Sequence, residues 1–166
     1  MNYVCRKPSI EDMNIKWDYE INNATDDKYN WITWKKEAIE RFKNGKTIPY
    51  YGYLDGKIIC EVTAVIDRSV IKNSEDLIDD KTAYLFAFRT VDEYIGKGYF
   101  SKLFKYMIND LKRLGYERVT IGVEPNEIKN KEIYKHLGFD TFIKKDKDIY
   151  PDGTAIDVEF YSMNLH

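Results

Sequence analysis

The stretch Val91-Asp92-Glu93-Tyr94-Ile95-Gly96-Lys97-Gly98-Tyr99-Phe100-Ser101-Lys102-Leu103 joins a strand-like segment to a helix-like one through two glycines. Upstream, Thr82 to Val91 is rich in aromatic residues and reads as a strand. Downstream, Leu103, Phe104, Met107, Ile108 and Leu111 share one helical face until Gly115 stops the pattern, which predicts a helix from about Phe100 to Leu114. The first N–H groups of a helix lack carbonyl partners and carry the positive end of its dipole, an arrangement that favours an anion. Glycines there permit left-handed backbone angles and let a pyrophosphate approach the main chain. An ordinary strand-to-helix turn uses the same residues, so both readings stand on the turn alone. Two familiar phosphate loops fit poorly. The Walker pattern needs glycine at 91 and Ser or Thr after the lysine, where Val91 and Gly98 stand. The dinucleotide fingerprint puts its first glycine close to the strand, but Asp92 to Ile95 intervene and Ser101 replaces its third glycine.

On the N-terminal side, Tyr3 to Lys7 is short and extended, and Ser9 with Asp12 forms a capping box ahead of Ile10, Met13, Trp17 and Ile21. A second helix carries Trp31, Trp34, Ala38, Ile39 and Phe42 and closes at Asn44-Gly45. Asp55-Gly56 lies between Tyr50 to Leu54 and Lys57 to Val62 as a tight hairpin turn. Asp67 to Lys81 is polar and without period, and reads as a loop. After the central helix, Arg118 to Val123 alternates as a strand and a helix bears Ile133, Tyr134 and Leu137 up to Gly138. Phe139 to Ile143 and Ile156 to Tyr161 finish as strands around Pro151-Asp152-Gly153. The order predicts one α/β domain over residues 1–166, a mixed twisted sheet of about seven strands with helices on both faces.

The 26 basic residues against 28 acidic ones give a formal charge of -2, with no excess of positive charge to hold a phosphate backbone, so nucleic acid is not an expected partner. No uncharged run approaches the ~20 residues that span a bilayer, so no membrane contact and a cytoplasmic location are expected. Cys5 and Cys60 sit in strand-like stretches and read as buried reduced thiols. His136 and His166 lack neighbours at ligand spacing, and no metal is expected.

The quoted stretch resembles motif A of the GNAT superfamily of N-acetyltransferases. Ile133-Tyr134-Lys135-His136-Leu137-Gly138-Phe139 resembles the close of its motif B, and the expected strand, Val119 to Val123, lies between the two. The likeness covers Tyr84 to Phe139; the N-terminal third follows the family only in element order. It implies a mostly antiparallel acyl-CoA-binding sheet and acetyl transfer from acetyl-CoA to a primary amine. Ile95 and Phe100 depart from the family's Arg or Gln and its small residue, which a cradle of backbone N–H groups tolerates.

By the same resemblance Gly96, Lys97, Gly98, Tyr99, Phe100 and Ser101 take the pyrophosphate, with Lys97 either adding charge or simply solvated. Thr90 and Val91 present backbone groups to the pantetheine arm, and the Val91 N–H steadies the thioester oxyanion. The family's asparagine falls by spacing at Glu127, with Asn130 one turn later as a cofactor contact and Asn126 read as a helix cap. Tyr134 is the candidate acid that protonates the departing thiolate, the alternative being a core tyrosine. No acid in Tyr84 to Val91 serves as base; a water chain is expected, and Glu124 is either in the cleft or a solvated loop residue.

Residues 9 to 40 carry eight acids against four lysines, with Trp17, Tyr19, Trp31 and Trp34. These form either a wall for a small cationic amine or ordinary core and solvated surface. The expected partners are a small-molecule amine and, in a homodimer, a second copy. A non-catalytic acyl-CoA sensor is the rival reading and a protein N-acetyltransferase a further one.

Overall fold

Ser9 caps the first helix as its sequence predicts: Asp12 N–H donates to Ser9 Oγ at 3.1 Å and Ser9 N–H donates to Asp12 Oδ2 at 3.3 Å. The computed structural model describes the whole chain, Met1 to His166. Its elements are β1 (Tyr3–Arg6), α1 (Ile10–Asn23), α2 (Lys28–Lys43), β2 (Thr47–Leu54), β3 (Lys57–Val65), β4 (Thr82–Thr90), α3 (Tyr99–Arg113), β5 (Arg118–Val123), α4 (Ile128–Leu137), β6 (Thr141–Ile149) and β7 (Ala155–Asn164). Short 3₁₀ turns occupy Arg68–Val70 and Asp92–Tyr94. The β2–β3 hairpin turns at Asp55 (φ 49) and Gly56 (φ 82), two positive angles that match the twist of paired strands.

The seven strands form one sheet in the order β1-β2-β3-β4-β5-β7-β6. β1 runs antiparallel to β2, β5 to β7 and β6 to β7, while β4 and β5 are parallel. The β4–β5 ladder runs only from Thr82↔Arg118 to Leu85↔Ile121. Two residues past its end, Ala87 takes φ 60, a left-handed angle inside a strand. That irregularity interrupts the pleat of β4, and only the backbone reveals it, because alanine carries no turn signal.

By packing, the chain divides into two compact units, Met1–Thr63 with Ala87–Met107 and Ala64–Phe86 with Ile108–His166. In the first, β2 is covered on both sides. Tyr51 and Tyr53 pack with Met13, Trp17, Ala38, Ile39 and Phe42 of α1 and α2. Tyr50, on the opposite face, meets Tyr106 of α3 edge-on at 6.1 Å. A strand buried on both faces shows no polar alternation, which is why β2 reads as a run of tyrosines.

In the second unit, Val65, Leu77, Ile78, Val158 and Phe160 form a buried cluster. Leu77 and Ile78 belong to the segment expected as a polar loop, and they are 0% and 2% exposed. That segment is a packed cover. Thr120 Oγ1 donates to Leu77 O at 2.8 Å, Arg68 Nε to Ile78 O at 2.9 Å, and Lys144 Nζ to Asn73 O and Glu75 O. The two apolar pairs in the segment, Val70-Ile71 and Leu77-Ile78, were the sequence signs of it, and both pack on this cluster. Gly122 of β5 has no room for a side chain: a Cβ would lie 2.7 Å from Val158 and 2.9 Å from both Phe160 and Tyr84 Oη.

The strand expected from Phe139 begins at Thr141 and runs on to Ile149, where polar residues such as Lys147 still pair with β7, and β7 runs on to Asn164 because Ser162, Met163 and Asn164 pair with β5. Cys60 is buried as expected, but Cys5 is half-buried.

Candidate active site

The turn that leads into α3, expected to hold an anion, has the backbone that task requires. Gly96 and Gly98 take φ 79 and 86, and a Cβ at either would meet nothing within 4 Å, so the main chain faces open space. The N–H groups of residues 96–101 donate to no carbonyl or side chain of the protein; the first helical bond is Lys102 N–H to Gly98 O at 3.3 Å. This run of unclaimed donors fits the pyrophosphate of acetyl-CoA. The turn is held from behind: Tyr3 Oη donates to Tyr99 O at 2.8 Å, and the two rings lie 4.8 Å apart. Phe100, one of the two departures from the family pattern, packs on Phe88 at 5.3 Å and Phe104 at 6.4 Å, so its bulk anchors α3 to β4. Ile95 and Ser101 are exposed. Lys97 Nζ and Lys57 Nζ stand 5.8 and 5.7 Å from the Tyr94 ring, which places two cations beside the turn.

Val91 is a correction. Its N–H donates to Ile59 O at 2.8 Å, which ties the end of β4 to β3 and leaves no donor there for an oxyanion. Sequence alone cannot assign ladder partners along a strand that carries an irregularity.

In the second unit, α4 begins at Glu127, which caps the helix without a side-chain hydrogen bond, so Asn126 does not have the capping role expected of it. Asn130 Nδ2 donates to Glu127 Oε2. The Glu124 carboxyl is pushed up to about 7 by its hydrogen bond with Glu127, by burial and by that neighbour's charge. Glu124 is therefore neither a free solvated glutamate nor isolated. Tyr134 is half-buried, its ring 6.4 Å from Phe139 and edge-on to it. Burial first, then the charge of Glu127, pushes its phenol up to about 12. It therefore stays protonated at neutral pH, the state a proton donor needs. The candidate residues thus fall in both units: residues 90–101 in the first, Asn130 and Tyr134 in the second.

The aromatic wall exists, and two of its three tryptophans already carry a cation of the protein. Trp17, Trp31 and Trp34 form a chain with ring separations of 6.0 and 5.3 Å. Lys16 Nζ lies 3.6 Å from the Trp17 ring, and Arg89 Cζ 4.2 Å from the Trp31 ring. At Trp17 and Trp31 the protein's own cations occupy the ring face that a cationic acceptor would use. Lys16 also pairs at 2.6 Å with Glu61, the side chains being 5% and 4% exposed. Burial pushes Glu61 up and Lys16 down, and each is opposed by the other's charge. A glutamate inside the apolar run Ile58-Ile59-Cys60-Glu61-Val62 was the available sequence signal of this pair. No group of three or more His, Cys, Asp or Glu residues is placed to hold a metal ion, and no helix is long and apolar enough to cross a membrane.

A family model described as the acetyltransferase (GNAT) family matches residues 11–139. The chain belongs to the GNAT family of acetyltransferases, and acetyl-CoA is its acyl donor. No curated protein sequence matches it. Among solved structures it is similar to a proposed acetyltransferase from Salmonella typhimurium solved with acetyl-CoA, at 18% identity and TM-score 0.66 over 100% of this chain and 95% of that one. A GNAT acetyltransferase from Streptococcus pneumoniae gives 16% and 0.69 over 99% and 100%. A ribosomal-protein-alanine N-acetyltransferase from Brucella melitensis gives 14% and 0.66 over 98% and 99%. At these identities the likeness is one of fold.

Proposed function

We propose that this acetyltransferase transfers the acetyl group of acetyl-CoA to the primary amine of a small molecule by direct attack. The observation that carries the acetyl-CoA half of this reading is the row of unclaimed N–H groups from Gly96 to Ser101 at the start of α3. Those donors and the helix dipole hold the pyrophosphate, Lys97 adds charge, and Thr90 offers its backbone to the pantetheine arm, with Asn130 as a further contact. Bound acetyl-CoA supplies a thioester whose carbonyl carbon accepts the amine. The new C–N bond forms as the C–S bond breaks, and Tyr134 Oη gives its proton to the leaving thiolate. The acceptor ammonium gives one proton to water before it attacks, and the proton that the acylated nitrogen then releases returns to Tyr134 through water.

The test is a screen of amines with acetyl-CoA, following free thiol with a colorimetric reagent. Thiol release that depends on one or more small amines is expected. Release with peptide amines alone would replace the small-molecule acceptor with a protein one, and coenzyme A binding with no acceptor-dependent release would remove the catalytic reading.

A further inference from the structure

Arg89 sits on β4 one residue before Thr90 and two before Val91. Its neighbour Phe88 points to α3, where it packs on Phe100 and Phe104 at 5.3 and 6.4 Å. Side chains alternate across a strand, so Arg89 lies on the other face, and its contacts there agree: Trp31 of α2 and Glu61 of β3. The guanidinium is therefore presented on the α1 and α2 side of the segment that leads into the turn at Gly96.

Three features hold this group without using up its hydrogen-bonding capacity. Its Cζ lies 4.2 Å from the Trp31 ring, which steadies the cation. Its Nε faces Glu61 Oε1 at 3.8 Å, beyond hydrogen-bond distance. The same oxygen is held by Lys16 Nζ at 2.6 Å, so the charge of Glu61 is already matched. Glu20 is the other acid whose charge reaches this cluster, acting on Lys16 and Glu61. The guanidinium makes no hydrogen bond to the protein, and the side chain is 40% exposed. It is a planar fork of donors fixed at its base and open at its tip, the geometry that takes a carboxylate through two parallel N–H···O bonds.

We infer that Arg89 binds a carboxylate on the acceptor, so that the preferred substrate is an amine that also carries a carboxylate, an amino-acid-like molecule. The inference rests on the acetyl-transfer reading and deepens it by naming the acceptor class. It also accounts for the occupied aromatic wall: Lys16 and Arg89 supply the cations there, and the acceptor supplies the anion.

The experiment pairs amino acids with the amines left when the carboxyl group is removed: glycine with methylamine, leucine with isoamylamine, phenylalanine with phenethylamine. For each pair the ratio of kcat/KM, acid over amine, is measured by thiol release in the wild type, Arg89→Gln and Arg89→Lys. The wild type is expected to favour the acid in at least one pair. Arg89→Gln should lower that ratio by ~10–100-fold, chiefly through KM, as expected for the loss of hydrogen bonds to a charged group. Arg89→Lys, which keeps the charge but not the fork, should fall between. A ratio that favours the amines in the wild type, or one unchanged by Arg89→Gln in a variant that melts normally, overturns the inference. Calorimetric titration of the same molecules into the protein saturated with coenzyme A gives the corresponding ratio of Kd values. If no amine is turned over, the catalytic reading fails, while preferential binding of the acids, lost in Arg89→Gln, still supports the carboxylate site and its absence rejects it.

Discussion

Tyr134 carries the heaviest chemical assignment of any one residue. Its phenol, raised to about 12 by burial and by the Glu127 charge, is protonated throughout the neutral range. Tyr134→Phe keeps the ring and its edge contact with Phe139 but removes the proton. A drop in kcat of ~10²-fold or more, with the Kd for coenzyme A little changed, is expected from single-turnover kinetics and calorimetry. A tyrosine that is only structural behaves otherwise: loss of its hydroxyl lowers stability by about 1 kcal/mol and leaves kcat intact. Melting curves on the same variant separate the two, and a lower melting point with normal turnover would falsify the acid assignment. Arg89 and Glu61 show the opposite case at this scale. Neither belongs to a recognisable motif, and their roles emerge only once β3, β4, α1 and α2 bring them together.

Among the elements, the turn into α3 is the one whose sequence said most. Glycine at 96 and 98 anticipated the left-handed angles and the open cradle, because both properties follow from the missing Cβ. Gly98→Asp should weaken coenzyme A binding by placing a negative charge against the pyrophosphate, while Gly98→Ala imposes the same backbone strain at φ 86 without the charge. Calorimetry should show a greater loss of affinity for the aspartate variant than for the alanine one, ~10-fold or more. Equal affinities in two folded variants would move the pyrophosphate away from this turn. α4 and β4 were less legible. The start of α4 falls at Glu127, which caps without its side chain, so the expected cap at Asn126 followed a propensity that the chain does not use. β4 carries a φ of 60 at Ala87, a residue with no preference for a positive φ, so its sequence gives no sign of the irregularity.

For the molecule as a whole, a ligand that binds only the folded chain must stabilise it. Coenzyme A at ~100 times its Kd should add about 2.7 kcal/mol, which corresponds to a rise in Tm of roughly 5–10 °C for a domain of this size. Scanning fluorimetry should show that rise with coenzyme A and none with NADP at the same concentration; the reverse pattern would contradict the acyl-CoA site. The element order, the hairpin at Asp55-Gly56, the capping box at Ser9 and Asp12 and the anion-ready turn were all determined by sequence, since each depends on residues a few positions apart and on local backbone preference. Tertiary structure alone decided what depends on residues far apart in the chain. It spent the Val91 N–H on Ile59, turned the loop at Leu77 and Ile78 into core, and closed Lys16 onto Glu61. It also set the protein's own cations beside Trp17 and Trp31, because which partner a polar group finds is set by packing between elements rather than by the residue's neighbours in sequence.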